Sequence, residues 1–124
     1  MKKILLTYFL ILFLFPLHIV WGETVDYKDL VIRDGLFYKK FTDFPFTGKT
    51  KGMERASYKN GKRHGPYLSY HKNGQLYNKG TYKNGKEEGL WVEYWSNGQL
   101  RQKETYKNGK KEGPFVWYYE NGQL

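Results

Sequence analysis

The residues able to do chemistry are few and sparsely placed. His64 and His71 stand seven residues apart, Glu87-Glu88 and Glu112 sit beside lysines, and the 124 residues contain no Cys. A metal site needs three or four converging ligands. Two histidines without clustered carboxylates do not supply them. Paired carboxylates can hydrolyse glycosides. These glutamates neighbour Lys86, Lys110 and Lys111 in segments that read as solvated turns, with no burying context to tune them. No nucleophile-and-base arrangement appears, and the glycines fall in turn motifs rather than in a phosphate loop. The expectation is a chain with no catalytic residue, no metal and no cofactor. What remains is aromatic. Trp91, Trp95 and Trp117, with Tyr67, Tyr70, Tyr94, Tyr118 and Tyr119, are rings of the kind that stack on sugars or cage an ammonium. In a thin sheet the same rings simply form the core.

The element that must position them is a repeat of 24 residues. Tyr58-Lys59-Asn60-Gly61-Lys62 recurs as Tyr82-Lys83-Asn84-Gly85-Lys86 and as Tyr106-Lys107-Asn108-Gly109-Lys110. Gly65, Gly89 and Gly113 keep the same step, and so do Asn73-Gly74-Gln75-Leu76, Asn97-Gly98-Gln99-Leu100 and Asn121-Gly122-Gln123-Leu124. Asn-Gly is a strong hairpin signal because both residues tolerate the positive φ of a type I′ turn. Between the turns lie β-forming runs such as Leu90–Trp95. The spacing predicts an all-β fold, an antiparallel meander of stacked hairpins with two strands per repeat, following an N-terminal signal helix. The units are 58–81, 82–105 and an incomplete 106–124, after a lead or cap at 23–57.

If every Asn-Gly loop has two residues, Tyr67 pairs with Gly80, His71 with Leu76, Tyr82 with Glu87 and Asn78 with Trp91. Alternation then puts Tyr67, Leu76, Tyr82, Trp91, Trp95, Leu100 and Tyr106 on one face. The other carries Leu68, Tyr70, Val92, Tyr94, Val116 and Tyr118 beside Lys79, Arg101 and Lys103. The first reads as the packing face. The second reads as half wet, with cationic stems lying over rings.

Composition fits this picture. Residues 23–124 hold only seventeen Leu, Ile, Val and Phe, a share low enough to suggest disorder, but also eleven Tyr and three Trp. The formal charge is +9. The lysines are spread singly through turns, so they read as solvated turn residues before they read as a polyanion site. At the N-terminus, Lys2 and Lys3 precede an apolar stretch from Ile4 to Leu17, with Val20 and Gly22 at the two positions a signal peptidase reads. The expectation is a signal peptide over 1–22 and export to the periplasm, envelope or medium. The alternative is an uncleaved membrane anchor over 4–21. With no Cys, a lipoprotein anchor is excluded.

The unit Gly89–Leu100, followed by Thr105–Gly113, resembles the bacterial variant of the MORN repeat, in the group labelled the YwqK-type antitoxin family. The lead-in Arg33–Lys40 and Pro45–Gly48 is similar to the segment that opens many such proteins. The resemblance covers roughly residues 30–124. It implies a curved or extended antiparallel sheet acting as a scaffold, with protein or membrane partners. The antitoxin label implies neutralisation of a toxin, which with an export signal would be a toxin acting in the envelope. No catalytic residue is carried over. The array stops at Leu124, which leaves Phe115–Tyr119 as an aromatic edge, either of a truncated gene or of an edge paired in an oligomer.

The expected function is binding of a protein partner by sheet face or edge. The candidate contacts are Tyr70, Trp91, Tyr94, Trp95, Trp117 and Tyr118, with Lys79, Arg101 and Lys103 supplying charge. Wall glycan or anionic lipid is the second class of partner. Export argues against nucleic acid. The Asn-Gly pairs at 60–61, 73–74, 84–85, 97–98, 108–109 and 121–122 are the structural turns.

Overall fold

A computed structural model of the protein describes residues 22–124. Residues 1–21, which carry the expected signal or anchor and its helix, lie outside the described residues. Strand β1 (Glu23–Asp26) runs through a 3-10 turn at Tyr27–Asp29 into the hairpin β2 (Leu30–Arg33) and β3 (Leu36–Lys39). There follow β4 (Gly48–Lys51), β5 (Glu54–Lys59), β6 (Lys62–Tyr70), β7 (Leu76–Lys83), β8 (Lys86–Glu87), β9 (Gly89–Tyr94), β10 (Leu100–Lys107) and β11 (Lys110–Trp117). One sheet runs β1-β4-β5-β6-β7-β9-β10-β11, with β8 also on β7. From β4 onward it is the expected antiparallel meander, whereas β1 joins in parallel. The lead's strands β1, β4 and β5 continue the sheet, and β2–β3 forms a small sheet of its own.

The six Asn-Gly pairs make two kinds of turn. Asn60, Asn84 and Asn108 have φ near 50°, and each following Gly is also positive, as a two-residue type I′ turn requires. At 73–74, 97–98 and 121–122 only the Gly is positive. There the loop has three residues. His71 N donates to Gln75 O, Gly74 N donates to His71 O, and the Asn73 side chain accepts from Gln75 N at 3.0 Å. The same bonds recur at Trp95–Gln99 and Tyr119–Gln123.

This corrects part of the register. His71 faces Gln75, not Leu76, and Tyr70 pairs with Leu76. An extra residue, Tyr77, then restores the expected pairing of Tyr67 with Gly80. Arg101 is the extra residue in the next copy. Asn78 pairs with Glu93 rather than Trp91, because two residues are inserted where β8 passes into β9 around Gly89, whose φ is +78°. Equivalent slips occur around Gly65 and Gly113. A slip of two preserves side-chain parity; a slip of one reverses it. So Tyr67, Tyr82, Trp91, Trp95 and Tyr106 keep the front face as expected. Leu76 and Leu100 move to the back, opposite Tyr70 and Tyr94, and Arg101 moves to the front.

The core lies at the front of the sheet's N-terminal end. Val25, Phe46, Ala56 and Tyr58 are buried together, with Leu30, Phe37 and Tyr67 packed against them. From there a run of rings continues across the repeats. Tyr67, Tyr82 and Trp91 contact one another at centroid distances of 4.9–5.5 Å, and Tyr106 follows at 6.3 Å from Trp91. Trp91 is 7% exposed and fits because Gly80 lies beneath it. A Cβ on Gly80 would stand 2.2 Å from the indole. The residues 24 before and after Gly80 are Ala56 and Glu104, so glycine stands at this step where the facing ring is largest. Gly80→Ala should therefore destabilise the protein by about 2 kcal/mol through overpacking. A urea midpoint lowered at constant slope would show it. An unchanged midpoint would mean that Trp91 does not bear on Gly80.

Candidate functional site

The nine expected contact residues divide between the two faces. Cross-strand pairing lines up Arg55, Leu68, Lys79, Val92, Lys103 and Val116 in one row across the back. Cations alternate with aliphatics, so successive cations stand two strands, or about 10 Å, apart. Tyr70, Tyr94 and Tyr118 lie beside the row, two residues on from Leu68, Val92 and Val116 along their strands. The Arg55 guanidinium sits 4.9 Å over the Tyr70 ring. The aliphatics and tyrosines are half-buried, and the three cations are exposed. Of the expected contacts, Tyr70, Tyr94, Tyr118, Lys79 and Lys103 belong here. Trp91, Trp95, Trp117 and Arg101 do not.

Those four are on the front. Trp91 is buried in the ring run. Trp95 donates its indole N–H to Tyr118 O at 3.0 Å and packs against Trp117 at 6.2 Å. Arg101 lies 4.6 Å over Trp95 and 3.6 Å from Glu93. Between β7, β9 and β10 the front holds a cavity of about 130 Å³. Its carboxylates are Glu87, Glu93 and Glu104, its rings Tyr82, Trp91 and Tyr106, and its amides Asn78 and Gln102. Beside it, in the first repeat, Arg63 pairs with Glu54 at 2.8 Å under the Phe37, Tyr67 and Tyr82 rings.

Arg55 and Glu54 were missed from sequence. Both precede their counterparts Lys79 and Asn78 by 24 residues, but a repeat boundary drawn at Tyr58 cut them off. The histidines serve the turns. His64 Nδ1 accepts from Asn84 N at 3.1 Å, the place Glu88 takes for Asn108 N at 3.0 Å. His71 Nε2 donates to Tyr94 O at 2.8 Å, as Trp95 does to Tyr118 O.

Several groups titrate away from their ordinary values. Burial pushes the Tyr67 hydroxyl up to about 12, helped by the Glu54 charge. Burial first, then Glu54, raises Tyr58; burial raises Tyr82; burial and a hydrogen bond to Glu104 raise Tyr106. Burial opposes the Arg63 charge, but the Glu54 carboxylate more than offsets it. Burial likewise opposes the Glu104 charge, and hydrogen bonds from Lys111 and Tyr106 outweigh it. Raised tyrosines stabilise the fold fully below pH 10, their unfolded value, and that stability is lost as pH rises through the folded values. Thermal midpoints should hold from pH 7 to 9 and fall steeply between 10 and 12, with four tyrosines ionising only on unfolding in the 295 nm absorbance. A single smooth titration near pH 10 would contradict this. Glu54→Gln should cost about 2 kcal/mol at neutral pH, read by denaturant unfolding, because it takes a charge-assisted bond from Arg63.

Comparison with known proteins bears on the repeats. The model of the MORN repeat variant matches residues 63–84, 87–108 and 111–124. Each match opens at Arg63, Glu87 or Lys111, the equivalent position just after a type I′ turn. The lead at 23–57 and the opening Tyr58–Lys62 of the expected first unit are not part of the match. No curated protein and no solved structure matches the chain. With hairpins recurring at the same period in sequence and structure, residues 63–124 are an array of MORN repeat variants.

Proposed function

We propose that the chain is an exported, non-enzymatic repeat scaffold that binds an acidic protein partner with the back of its sheet. One observation carries the reading. Arg55, Lys79 and Lys103 stand in a single row at two-strand intervals, separated by half-buried aliphatics and flanked by Tyr70, Tyr94 and Tyr118. Spaced cations give register and steer association, and the apolar surface between them supplies contact area. A repeat array suits such a task because it multiplies one contact along a line. An export signal at residues 1–22, read from the Lys2-Lys3 and Ile4–Leu17 pattern, would put the partner outside the cytoplasm. The YwqK-type resemblance suggests immunity against a toxin acting in the envelope as a specific form of this function.

The same cations would also suit the phosphates of anionic lipid or the carboxylates of wall glycan, so the test has arms for both. Protein carrying Lys79→Glu and Lys103→Glu, alongside wild type, is used to capture partners from envelope extract. It is also sedimented with anionic vesicles and with wall sacculi. A protein captured by wild type and reduced at least tenfold by the double variant, at unchanged circular dichroism, is the expected result. Strong sedimentation with vesicles or sacculi and no captured protein would overturn the reading. So would capture that charge reversal leaves intact.

A further inference from the structure

The first repeat supplies a side chain to a site that the second leaves open. Arg63 lies 4.9, 5.3 and 5.4 Å from the Phe37, Tyr67 and Tyr82 ring centroids, with its guanidinium bonded to Glu54. Twenty-four residues later Tyr67 becomes Trp91, Tyr82 becomes Tyr106 and Arg63 becomes Glu87. Two of the three rings persist, the guanidinium does not, and the front cavity of about 130 Å³ stands among the counterparts. Among the described residues, two buried polar atoms of side chains that line it are unpartnered. The Asn78 Oδ1 has no donor, and the indole N–H of Trp91, a residue 7% exposed, has no acceptor. Such atoms are costly to bury unpaired.

The charges around the cavity point the same way. Glu87, Glu93 and Glu104 face it. Arg101 stands 3.6 Å from Glu93, and Lys111, with a side chain 69% exposed, is 2.7 Å from Glu104. Among the described residues two of the three carboxylates have an ion-pair partner, and the third, Glu87, stands where the first repeat has Arg63.

We propose that this cavity binds the guanidinium of an arginine side chain presented by a partner peptide, the group that Arg63 places in the first repeat. A guanidinium is flat enough to stack on Trp91 or Tyr106 while its edge donates to Asn78 Oδ1 and a carboxylate together; a compact ammonium cannot do both. It has no acceptor of its own. The Trp91 N–H therefore calls for an acceptor on the same ligand, which a peptide carbonyl provides. The site is on the opposite face from the lysine row, so its failure leaves the back-face reading untouched, and the reverse holds.

The test follows the Trp91 indole N–H by NMR while N-acetyl-arginine amide, N-acetyl-lysine amide or methylguanidinium is added to the protein. The arginine derivative should give a saturable shift at millimolar concentration, and the other two should bind at least tenfold more weakly. Glu87→Arg should fill the cavity from within and abolish the shift at unchanged circular dichroism. Glu93→Gln, which keeps the cavity's shape, should weaken binding about tenfold and carries the test if the first variant does not fold. No saturable shift, equal response to the lysine derivative, or undiminished binding in these variants would overturn the proposal. Binding of methylguanidinium as tight as that of the arginine derivative would overturn a peptide source.

Discussion

A single-layer sheet has no second layer to press against, and every other feature of this molecule answers to that constraint. Among the described residues only the N-terminal end is covered, around Val25, Phe46, Ala56 and Tyr58. Beyond it, each ring must be covered by the ring of the next strand pair. Tyr67, Tyr82, Trp91 and Tyr106 do this by meeting largely edge to face, the arrangement favoured by the ring quadrupole. That is why aromatics replace aliphatics. A Leu or Val is too short to reach its neighbour along the face, whereas Tyr and Trp span the distance and keep a polar atom for a carboxylate or carbonyl.

The same constraint sorts the charges. On the front, most carboxylates are paired with a cation beside the rings, as Glu54 is with Arg63 and Glu104 with Lys111. On the back, Lys79 and Lys103 pair across strands with aliphatics and stay exposed. The basic excess is thus not spread evenly. A good part of it sits in turns, as composition suggested, but the cations of the back row are ordered by the repeat.

The fold was legible from the period because Asn-Gly pairs at fixed phase leave little choice but stacked hairpins. Next to the turns, register was legible only where the loop was the two-residue kind, as at Asn84-Gly85; further along the strands the slips decided it, restoring Tyr67 opposite Gly80 and moving Asn78 opposite Glu93. At Asn73-Gly74 the side chain of Asn73 accepts from Gln75 N and so spares Asn73 its positive φ. Nothing in the dipeptide distinguishes the two turns; the following Gln does, since it recurs after all three of the longer loops. The slips at Gly65, Gly89 and Gly113 were visible as phased glycines without a role. Arg101 shows the consequence. One inserted residue took it from the row of lysines to the Trp95 ring, a displacement that strict alternation cannot foresee.

The bonds between successive copies recur at fixed separations. His71 to Tyr94 and Trp95 to Tyr118 both span 23 residues, and so do Asn73 to Ser96 and Asn97 to Glu120. Side chain and backbone are thus tied only to the adjacent unit, as in a one-dimensional lattice. Such a lattice has no keystone in its middle. Pulled from Leu124, it would yield strand by strand at nearly constant force, each peeled unit leaving the rest intact. The force would climb only where the chain reaches Tyr58 and the cluster that anchors the whole row of hairpins.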